Sequence, residues 1–435
     1  MFSKILIANR GEIAVRIIRA CKEMGIATVA VYSEADKDTL HVSLADESFC
    51  IGPAPASESY LNQERVISAA LVSGAQAIHP GYGLLSENPE FAKKCAKNGI
   101  VFIGPSAECM ERISDKTEIK KIISETELEA IPGTGVLSGL DEALFKAQEI
   151  GYPVMLKARS GGGGRGIRLI NNKEELERDY PLAVAESEAA FADGGLYIEK
   201  YVYPANHIEV QILADEAGNV LCMGERDCSV QRRHQKLIEE TPAPAVSDEQ
   251  RAELFRKVRD AVAKLDYTGV GTLEFLYDKE GNFWFMEMNV RLQVEHCVSE
   301  MLTHKDIVKW QIRTAAGVSL NFAQEDIPLK GCAIECRINA LKPGRLKLLH
   351  VPSGPLIRFD SFLVAGDEIT PFYDSLVGKL IVYSGTREEA IRKMKASLCE
   401  LVIDGIETNI DEQLKIVSSP EFSGGTYDLT LLEEN

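Results

Sequence analysis

The chain has 435 residues, of which 45% are hydrophobic and 26% charged, and its net charge is −18. A chain of this length is too long for one compact core, so we expect two or three domains. The negative charge argues against a general binder of nucleic acid or acidic membranes, because those surfaces are held by clustered Lys and Arg. The ten cysteines are scattered, without a CxxC pair or a zinc spacing, which favours free thiols. The sequence has no signal-peptide layout and no apolar run of membrane-spanning length, and it therefore predicts a cytoplasmic protein.

Residues 4 to about 112 alternate short apolar strands with helical stretches. Strands are predicted near residues 5–8, 28–32, 48–51, 77–78 and 100–103. This alternation indicates an open, mostly parallel α/β sheet, whose ligands sit at the carboxyl ends of the strands. The loop after the fourth strand contains a Tyr and a Glu that could face a ligand, although as a lone motif this signal is weak.

A glycine-rich loop at 158–166 joins two predicted strands, 152–157 and 167–170. Bare backbone N–H groups in such a loop can reach phosphate oxygens. The loop does not open a helix and contains no GxxxxGK[ST], so it is not a P-loop. Taken alone, its run of glycines fits a flexible solvent loop as well as a flap that closes on a ligand. Lys157 at its mouth and Lys116 upstream favour a polyphosphate ligand.

Two later segments contain candidate nucleotide contacts. Residues 196–202 form a predicted strand that leads into a loop, a layout that presents backbone groups to adenine in many nucleotide sites. Residues 225–236 are dense in charge, and a charge run is more often a solvated face than a binding site. Gln231, His234 and Lys236 therefore stay candidates only.

The most informative stretch is a predicted hairpin whose β-rich arms flank a glycine-containing loop. If residues 280–281 form the turn, Glu274 lies directly opposite Glu287. Two facing carboxylates with Cβ atoms roughly 5 Å apart repel each other, and a divalent cation between them reverses the sign of that interaction. With Asn289 close by, the oxygen-only donors favour Mg²⁺ or Mn²⁺.

From residue 286 to 295, apolar and polar residues alternate strictly, which is typical of extended chain with one face on a core. The polar face would contain Glu287, Asn289, Arg291, Gln293 and Glu295. A solvent-facing strand is the alternative interpretation. It explains the alternation but not the mirrored carboxylates, so we prefer the metal site.

The last third of the chain mixes strands and helices. A helix is predicted at 307–316, a strand at 333–339 and a helix at 388–401. Arg337 alternates with apolar neighbours, so its side chain points away from the apolar face. By itself that position is equally compatible with a structural ion pair.

Taken in order, these motifs resemble the ATP-grasp fold and, within it, the biotin carboxylase family. The resemblance covers nearly the whole chain. It rests on IANRGEIA at 7–14, HPGYG at 79–83, the flap at 161–166, ERDCS at 225–229 through Lys236, EMN at 287–289 through His296, and ECRIN at 335–339. Each motif alone is weak, whereas all of them in this order are specific.

The resemblance implies an α/β and α+β multidomain protein. The N-terminal domain (1–112) would be a doubly wound parallel sheet, and the central ATP-grasp domain (113–330) would contain the Gly-rich flap in a subdomain at about 130–203. A C-terminal mixed-sheet domain (331–435) would complete the chain.

The resemblance also assigns roles to residues. The implied ATP contacts are Lys116, Lys157, Gly163, Gly164, Glu199, Lys200, Tyr201, Val202, His207, Gln231 and His234, with Leu276 and Met286 at adenine. Metal ligands would be Glu274, Glu287 and Asn289, in agreement with the hairpin. The implied bicarbonate site is Lys236, Arg291, Gln293 and Val294. Glu295 would be the base that deprotonates bicarbonate, and Arg337 would lie at biotin with Tyr82 nearby.

The implied activity is carboxylation of biotin by bicarbonate and ATP, with Mg²⁺ or Mn²⁺, through carboxyphosphate. Biotin would be presented by a separate biotin carboxyl carrier protein, the carboxyltransferase would be another polypeptide, and the chain would be a homodimer. One alternative is an ATP-grasp ligase that joins another carboxylate to an amine. A catalytically impaired nucleotide-binding regulatory subunit is the other.

The chain departs from the family pattern in three places, one of which is Arg159-Ser160 in place of part of a longer Gly/Ser run at the flap. Cys297 stands where the family usually has Pro, at a turn that touches no chemistry. The segment at 341–362 is shorter than the family pattern, and Arg358 stands there as the remnant of a family arginine. This shortening predicts a change near the biotin pocket and the subunit interface.

Overall fold

The computed structural model describes residues 1–160, 166–191 and 193–433, without the side chains of residues 116, 117 and 191. Across these ranges, no helix combines the length and the apolar character that crossing a membrane requires.

The first segment is a parallel sheet between two layers of helices. Its elements are β1 (Lys4–Ile7), α1 (Gly11–Glu23), β2 (Ala27–Ser33), α2 (Leu40–Leu44), β3 (Glu47–Gly52), α3 (Gln63–Ser73), β4 (Ala77–His79), α4 (Pro89–Lys97), β5 (Val101–Phe102) and α5 (Ala107–Ser114). The strand order is β3-β2-β1-β4-β5, and each pair is parallel. Successive residues of β1 pack into different clusters, Ile5 with α1 and Leu6 with α3, so both faces are covered. The doubly wound prediction is confirmed.

The middle of the chain contains the glycine-rich hairpin and a long run of strands. Its elements are α6 (Lys116–Ser124), β6 (Glu129–Ala130), α7 (Leu140–Ile150), β7 (Val154–Ala158), β8 (Ile167–Ile170), α8 (Lys173–Phe191), β9 (Leu196–Lys200), β10 (Ala205–Ala214), β11 (Val220–Arg232), β12 (Gln235–Thr241), α9 (Asp248–Lys264), β13 (Gly269–Asp278), β14 (Phe283–Asn289), α10 (His296–Thr303) and α11 (Ile307–Ala315). Strands β8, β7 and β9 form a small antiparallel sheet, so the glycine-rich loop does join two paired strands. Helix α9 starts at Asp248 because Ser247 and Gln250 cap each other reciprocally.

The last segment continues with short strands and three helices. Its elements are β15 (Cys332–Asn339), β16 (Gly344–Arg345), β17 (Leu348–His350), β18 (Ile357–Ser361), β19 (Glu368–Ile369), β20 (Leu376–Ser384), α12 (Arg387–Glu400), β21 (Val402–Asp404), α13 (Ile410–Ser418) and α14 (Pro420–Gly424).

One large sheet connects the middle and last segments. Within the described ranges its strands follow the order β18-β20-β15-β12-β11-β10-β13-β14-β6. Because β15 pairs directly with β12, this sheet continues across residue 330, where the sequence predicts a domain boundary. Residues 225–230 of β11 are buried on both faces of the strand. The solvated-face interpretation is therefore wrong for residues 225–230, where Arg226 pairs with Glu209 and Glu225 with Arg251 between packed layers. Residues 232–235 of the same run are exposed, as that interpretation expects.

Candidate active site

A cleft of about 960 Å³ lies between the large sheet, the small sheet and the loop after β4. Its apolar lining and convergent polar groups are those of a ligand site. Predicted site residues that line it are Tyr82, Lys157, Glu199, His207, Gln231, His234, Lys236, Glu274, Leu276, Met286, Glu287, Asn289, Arg291, Gln293, Val294, Glu295 and Arg337.

Glu274 on β13 collects hydrogen bonds at the centre of the cleft. One oxygen accepts from Asn289 Nδ2 at 2.6 Å and Gln293 Nε2 at 2.8 Å, and the other faces His207 Nε2 at 2.7 Å. Burial opposes the charge of this carboxylate, but Lys236 and His207 outweigh burial and hold the pKa of Glu274 well below its usual range. Glu274 is therefore ionised at neutral pH.

Glu287 stands directly opposite Glu274 on β14, as predicted. Glu287 is exposed to the cleft, whereas Asn289 is buried. The pair and the neighbouring amide thus present oxygen donors of the kind that Mg²⁺ prefers. These residues fit a hard divalent cation.

Lys236 lies between three acidic groups. Its ammonium donates to Glu209, to Glu295 Oε1 at 2.9 Å and to Glu274 Oε1 at 3.4 Å. Burial would lower the pKa of Lys236, but the three carboxylates raise it well above its ordinary value. Glu209 is fully buried, and it also accepts from Arg226 Nη2 at 3.0 Å. A permanent positive charge therefore sits in the cleft on a buried acidic support.

Glu295 precedes α10 and is held by two cations. Lys236 reaches one oxygen, and Arg337 Nη2 donates to the other at 3.0 Å. Burial favours the neutral acid, but Lys236 and then Arg337 keep the pKa of Glu295 well below its ordinary value. Arg337 is itself oriented by Glu239, which accepts from its Nε at 2.6 Å. The carboxylate thus faces the cleft in its basic form.

Arg291 approaches the same region from the opposite side. Its Nε donates to Glu87 at 2.9 Å, and its Nη2 donates to the side-chain Oδ1 of Asn289 at 3.1 Å. Glu87 also accepts from the backbone N–H of Val290 at 3.2 Å. The loop after β4 therefore fixes the segment that presents Arg291.

Lys379 on β20 supports this segment from behind. Its fully buried ammonium donates to the Val294 carbonyl at 2.8 Å and to Glu12 at 3.0 Å. Glu12 also accepts from the Tyr82 hydroxyl. Strand β20, helix α1 and the loop after β4 are thus tied to the residue that precedes Glu295.

The other end of the cleft is formed by the small sheet. Glu199 on β9 accepts from Lys157 at 2.6 Å and from Lys120 at 2.7 Å. Burial would raise the pKa of Glu199, but the two ammonium groups lower it. Two cations therefore flank the mouth of the glycine-rich hairpin.

An apolar cluster adjoins this end. Ile131 and Val202 pack with Leu276, Trp284 and Met286. Such a surface suits the flat face of an aromatic base.

Polar groups border the apolar cluster. Gln231 contacts His207 Nδ1 at 2.8 Å and donates to the Cys228 carbonyl at 2.7 Å. His234 and Arg233 form the left-handed turn that joins β11 to β12. This turn holds His234 at the edge of the cleft.

Three family models match consecutive parts of the chain. They are the biotin carboxylase N-terminal domain at residues 1–110, the carbamoyl-phosphate synthase L chain ATP-binding domain at 115–323, and the biotin carboxylase C-terminal domain at 335–434. The chain is also 48% identical to biotin carboxylase 1 of Bacillus subtilis, covering 100% of this chain and 98% of that relative.

The chain belongs to the biotin carboxylase family.

Solved structures of this family have the same architecture. One similar structure is the biotin carboxylase-beta-gamma-ATP complex from Campylobacter jejuni. It matches with a TM-score of 0.96 and 48% identity, over 99% of this chain and 98% of that one. The biotin carboxylase domain dimer of Hydrogenobacter thermophilus 2-oxoglutarate carboxylase has a TM-score of 0.95 and 47% identity, covering 99% and 97%. That structure contains MgADP, ADP and bicarbonate. The ATP-grasp and biotin carboxylase resemblance is confirmed.

The hairpin prediction was right for the carboxylate pair and wrong at the turn. Near the loop, Tyr277 pairs with Phe283, one residue away from the predicted register. A β-bulge with Met286 as the extra residue then restores the predicted pairing of Glu274 with Glu287. Periodicity could not have located this bulge, because residues 283–286 are all apolar and the alternation begins only at Met286.

The alternating stretch is also shorter as a strand than predicted. Strand β14 ends at Asn289, and residues 290–295 form an irregular segment before α10. Side chains of that segment still reach the cleft because Glu87 and Lys379 hold its backbone. The alternation of apolar and polar residues therefore continues beyond the end of strand β14, although such alternation usually marks a strand in a sheet.

Some predicted residues lie outside the cleft or outside the described part. Gly163 and Gly164, and the side chain of Lys116, are outside the described part of the chain. Lys200, Tyr201 and Val202 do not line the cleft, although Val202 packs behind its apolar wall.

Sequence reasoning missed the buried groups that orient the predicted ones. These are Glu209, Arg226, Glu239 and Lys379. The only local signal for them is charge in an otherwise apolar strand pattern.

Proposed function

We propose that this chain carboxylates biotin with bicarbonate and ATP, and that Glu295 is the general base. The observation that carries the proposal is an ionised, buried carboxylate between Lys236 and Arg337 in a cleft with a cationic far end. Bicarbonate is a poor nucleophile until a base removes its proton.

The same two cations control how basic Glu295 is. Lys236 and Arg337 hold its pKa low by direct contact. Both are also the natural partners of bicarbonate and phosphoryl oxygens. When those anions engage Lys236, the carboxylate of Glu295 loses part of its stabilisation and its pKa rises. The base thus becomes stronger once its substrates have bound.

ATP would occupy the length of the cleft. Adenine would lie on Leu276 and Met286, with backbone groups of Lys200, Tyr201 and Val202 at its edge. Gln231, His234 and His207 would contact the nucleoside. Phosphate oxygens would be held by Lys116 and Lys157 and by backbone N–H groups of the flap at Gly163 and Gly164, as electrostatic catalysis of phosphoryl transfer requires.

The metal would be held by Glu274, Glu287 and Asn289, which supply the oxygen donors that Mg²⁺ or Mn²⁺ prefers. Bound there, the ion would neutralise phosphate charge during transfer.

The chemistry balances with groups in the cleft. Glu295 takes the proton of bicarbonate, and the bicarbonate oxygen displaces ADP from the γ-phosphorus to form carboxyphosphate. Carboxyphosphate separates into carbon dioxide and phosphate, and the phosphate removes the ureido proton of biotin. Arg337 holds the resulting enolate, which attacks carbon dioxide to form the N–C bond. Gln293 and Val294 would orient bicarbonate, and Tyr82 would border biotin.

Partners follow from this half-reaction. Biotin would arrive on a carrier protein, and a carboxyltransferase would use the product. A homodimer is supported by the dimeric state named for the Hydrogenobacter thermophilus relative. The predicted domain limits at 112 and 330 remain part of this proposal.

ADP release tests the proposal. With Mg²⁺ and bicarbonate present, free biotin should increase the rate of ADP release by the wild type. In E295Q, the biotin-stimulated rate should be lower by on the order of 10²–10⁴-fold, as expected for loss of a general base. E64Q is a matched control, since Glu64 is an exposed carboxylate outside the cleft that pairs with Lys94. Bicarbonate-independent turnover in the wild type would contradict the proposal.

A further inference from the structure

Behind Glu295, one face of the large sheet is crossed by a row of buried charges. Glu239 on β12 is the register partner of Glu335 on β15, and Arg337 on β15 is the register partner of Lys379 on β20. Side chains at directly opposite positions share a face, so the four groups lie side by side. Glu239, Glu335 and Lys379 are fully buried.

The two carboxyl groups have polar atoms that nothing in the described part of the chain satisfies. Glu239 uses one oxygen to accept from Arg337, while its other oxygen has no hydrogen-bond partner there. Neither oxygen of Glu335 has one. Buried polar atoms are nearly always paired, and an unpaired buried charge is costly. Two ionised, buried carboxylates should not have oxygens left without hydrogen-bond donors in this way.

A single proton pairs two of these three oxygens and leaves only one neutral carbonyl oxygen of Glu335 without a partner. Directly opposite residues have Cβ atoms roughly 5 Å apart, which brings two glutamate carboxyl groups within hydrogen-bond reach. If Glu335 carries the proton, it can donate to the second oxygen of Glu239, and one negative charge replaces two.

The surrounding charges agree with that arrangement. Groups that face the pair are Lys236, Arg337, Lys379, Glu295 and Cys297, with Asp360 beyond Lys379. Burial, with Glu239 as the nearest like charge, raises the pKa of Glu335 well above its ordinary value in spite of Lys379. Burial likewise raises the pKa of Glu239 to about 7.

We propose that Glu239 and Glu335 form a proton-sharing carboxyl pair whose role is to position Arg337 against Glu295. The pair itself stands on the geometry, whereas its role at biotin rests on the proposed function. With the proton on Glu335, Glu239 keeps its full negative charge and accepts a hydrogen bond from Arg337 Nε. The Nη2 atom of Arg337 then stays directed at the cleft. With two ionised carboxylates, Lys379 would be drawn from the Val294 carbonyl and Arg337 from Glu295.

Infrared difference spectroscopy of the resting protein tests the pair without any turnover. We expect a buried protonated-carboxyl band at neutral pH that disappears in E335Q, because glutamine can donate to Glu239 but cannot hold the proton. E240Q is the matched control. Glu240 is the next residue on β12 and is equally buried, but its carboxylate is paired with Nε and Nη2 of Arg387 at 2.7 and 2.8 Å. The band should therefore persist in E240Q.

An unchanged band in E335Q would overturn the shared proton. Should E335Q fail to fold, E239M gives a second test, because Glu335 then keeps its proton but loses the carboxylate that accepts it. The band should shift to higher wavenumber in E239M, and an unshifted band would overturn the shared proton.

Kinetics test the positioning role separately. E335M has a similar volume but no donor, and we expect its KM for biotin to rise at least tenfold while its KM for ATP stays within twofold. E335Q should restore the biotin KM to within threefold of the wild type, because its amide replaces the lost donor. Equal rises in both KM values would overturn the positioning role. If the chain does not use biotin, the kinetic test has no signal, yet the infrared result still decides whether the pair exists.

Discussion

The two ends of the cleft hold carboxylates in different ways. At the end where we propose the nucleotide, Glu199 is paired with Lys157 and Lys120, whose side chains are 20% and 27% exposed. At the end where we propose the base, the cations Lys236 and Arg337 that hold Glu295 are 15% and 16% exposed. These two cations also pair with the fully buried Glu209 and Glu239, whose charges water could not reach if the cations were lost. Loss of one charge should therefore destabilise the protein less at the nucleotide end than at the base end.

The largest effect should follow from removing Lys379. K379M leaves Glu12 and the Val294 carbonyl without their buried donor, and we expect about 3–5 kcal/mol loss in the free energy of unfolding. Denaturant unfolding measures it. K94M removes an exposed ion pair with Glu64 and should cost less than about 1 kcal/mol. Similar losses in both variants would remove the distinction between buried and exposed charges.

The next effect concerns the metal pair between the two ends. E287K places a cation opposite Glu274 and should lower metal-dependent ATP turnover by on the order of 10²–10³-fold, with the fold intact because Glu287 is exposed. E280K is the control, since it reverses a charge at the exposed tip of the same hairpin. Near-normal turnover in E287K would contradict the metal assignment.

A pair of variants separates the ends kinetically. R337A should raise the KM for biotin at least tenfold, roughly 1.4 kcal/mol, with little change in the KM for ATP. K157A should do the opposite, because Lys157 lies beside the glycine-rich hairpin. Each variant serves as the control for the other in ADP-release assays. If both shift the two KM values equally, the cleft has no separate ends.

The smallest effect is a pH dependence of opposite sign at the two ends. Burial raises the pKa of Glu335 above the ordinary 4.5, so its contribution to stability is present below pH 4.5 and is lost as pH rises toward its folded pKa. Lys157 and Lys120 outweigh burial and lower the pKa of Glu199, so its contribution is present above pH 4.5 and is lost as pH falls. Relative to E335Q and E199Q, the wild type should show opposite slopes of at most about 1.4 kcal/mol per pH unit. Slopes of the same sign would refute the assignment.

By itself, the sequence determined the parallel N-terminal sheet, the glycine-rich hairpin and the hairpin that contains Glu274 and Glu287, whereas the direct facing of those two residues also depends on the bulge at Met286. These features depend on alternation and turns within one or two neighbouring elements. Such short-range patterns do not depend on how distant parts of the chain pack.

Only the tertiary structure decided which charges are buried and what they contact. Glu239 meets Arg337 across 98 residues, and Lys379 meets Val294 across 85. Whether a charged residue in a strand is solvated or enclosed depends on the layers packed on that strand, and local sequence does not encode them. For that reason residues 225–230 were misread as a solvated face, and the supports of Glu295 were missed.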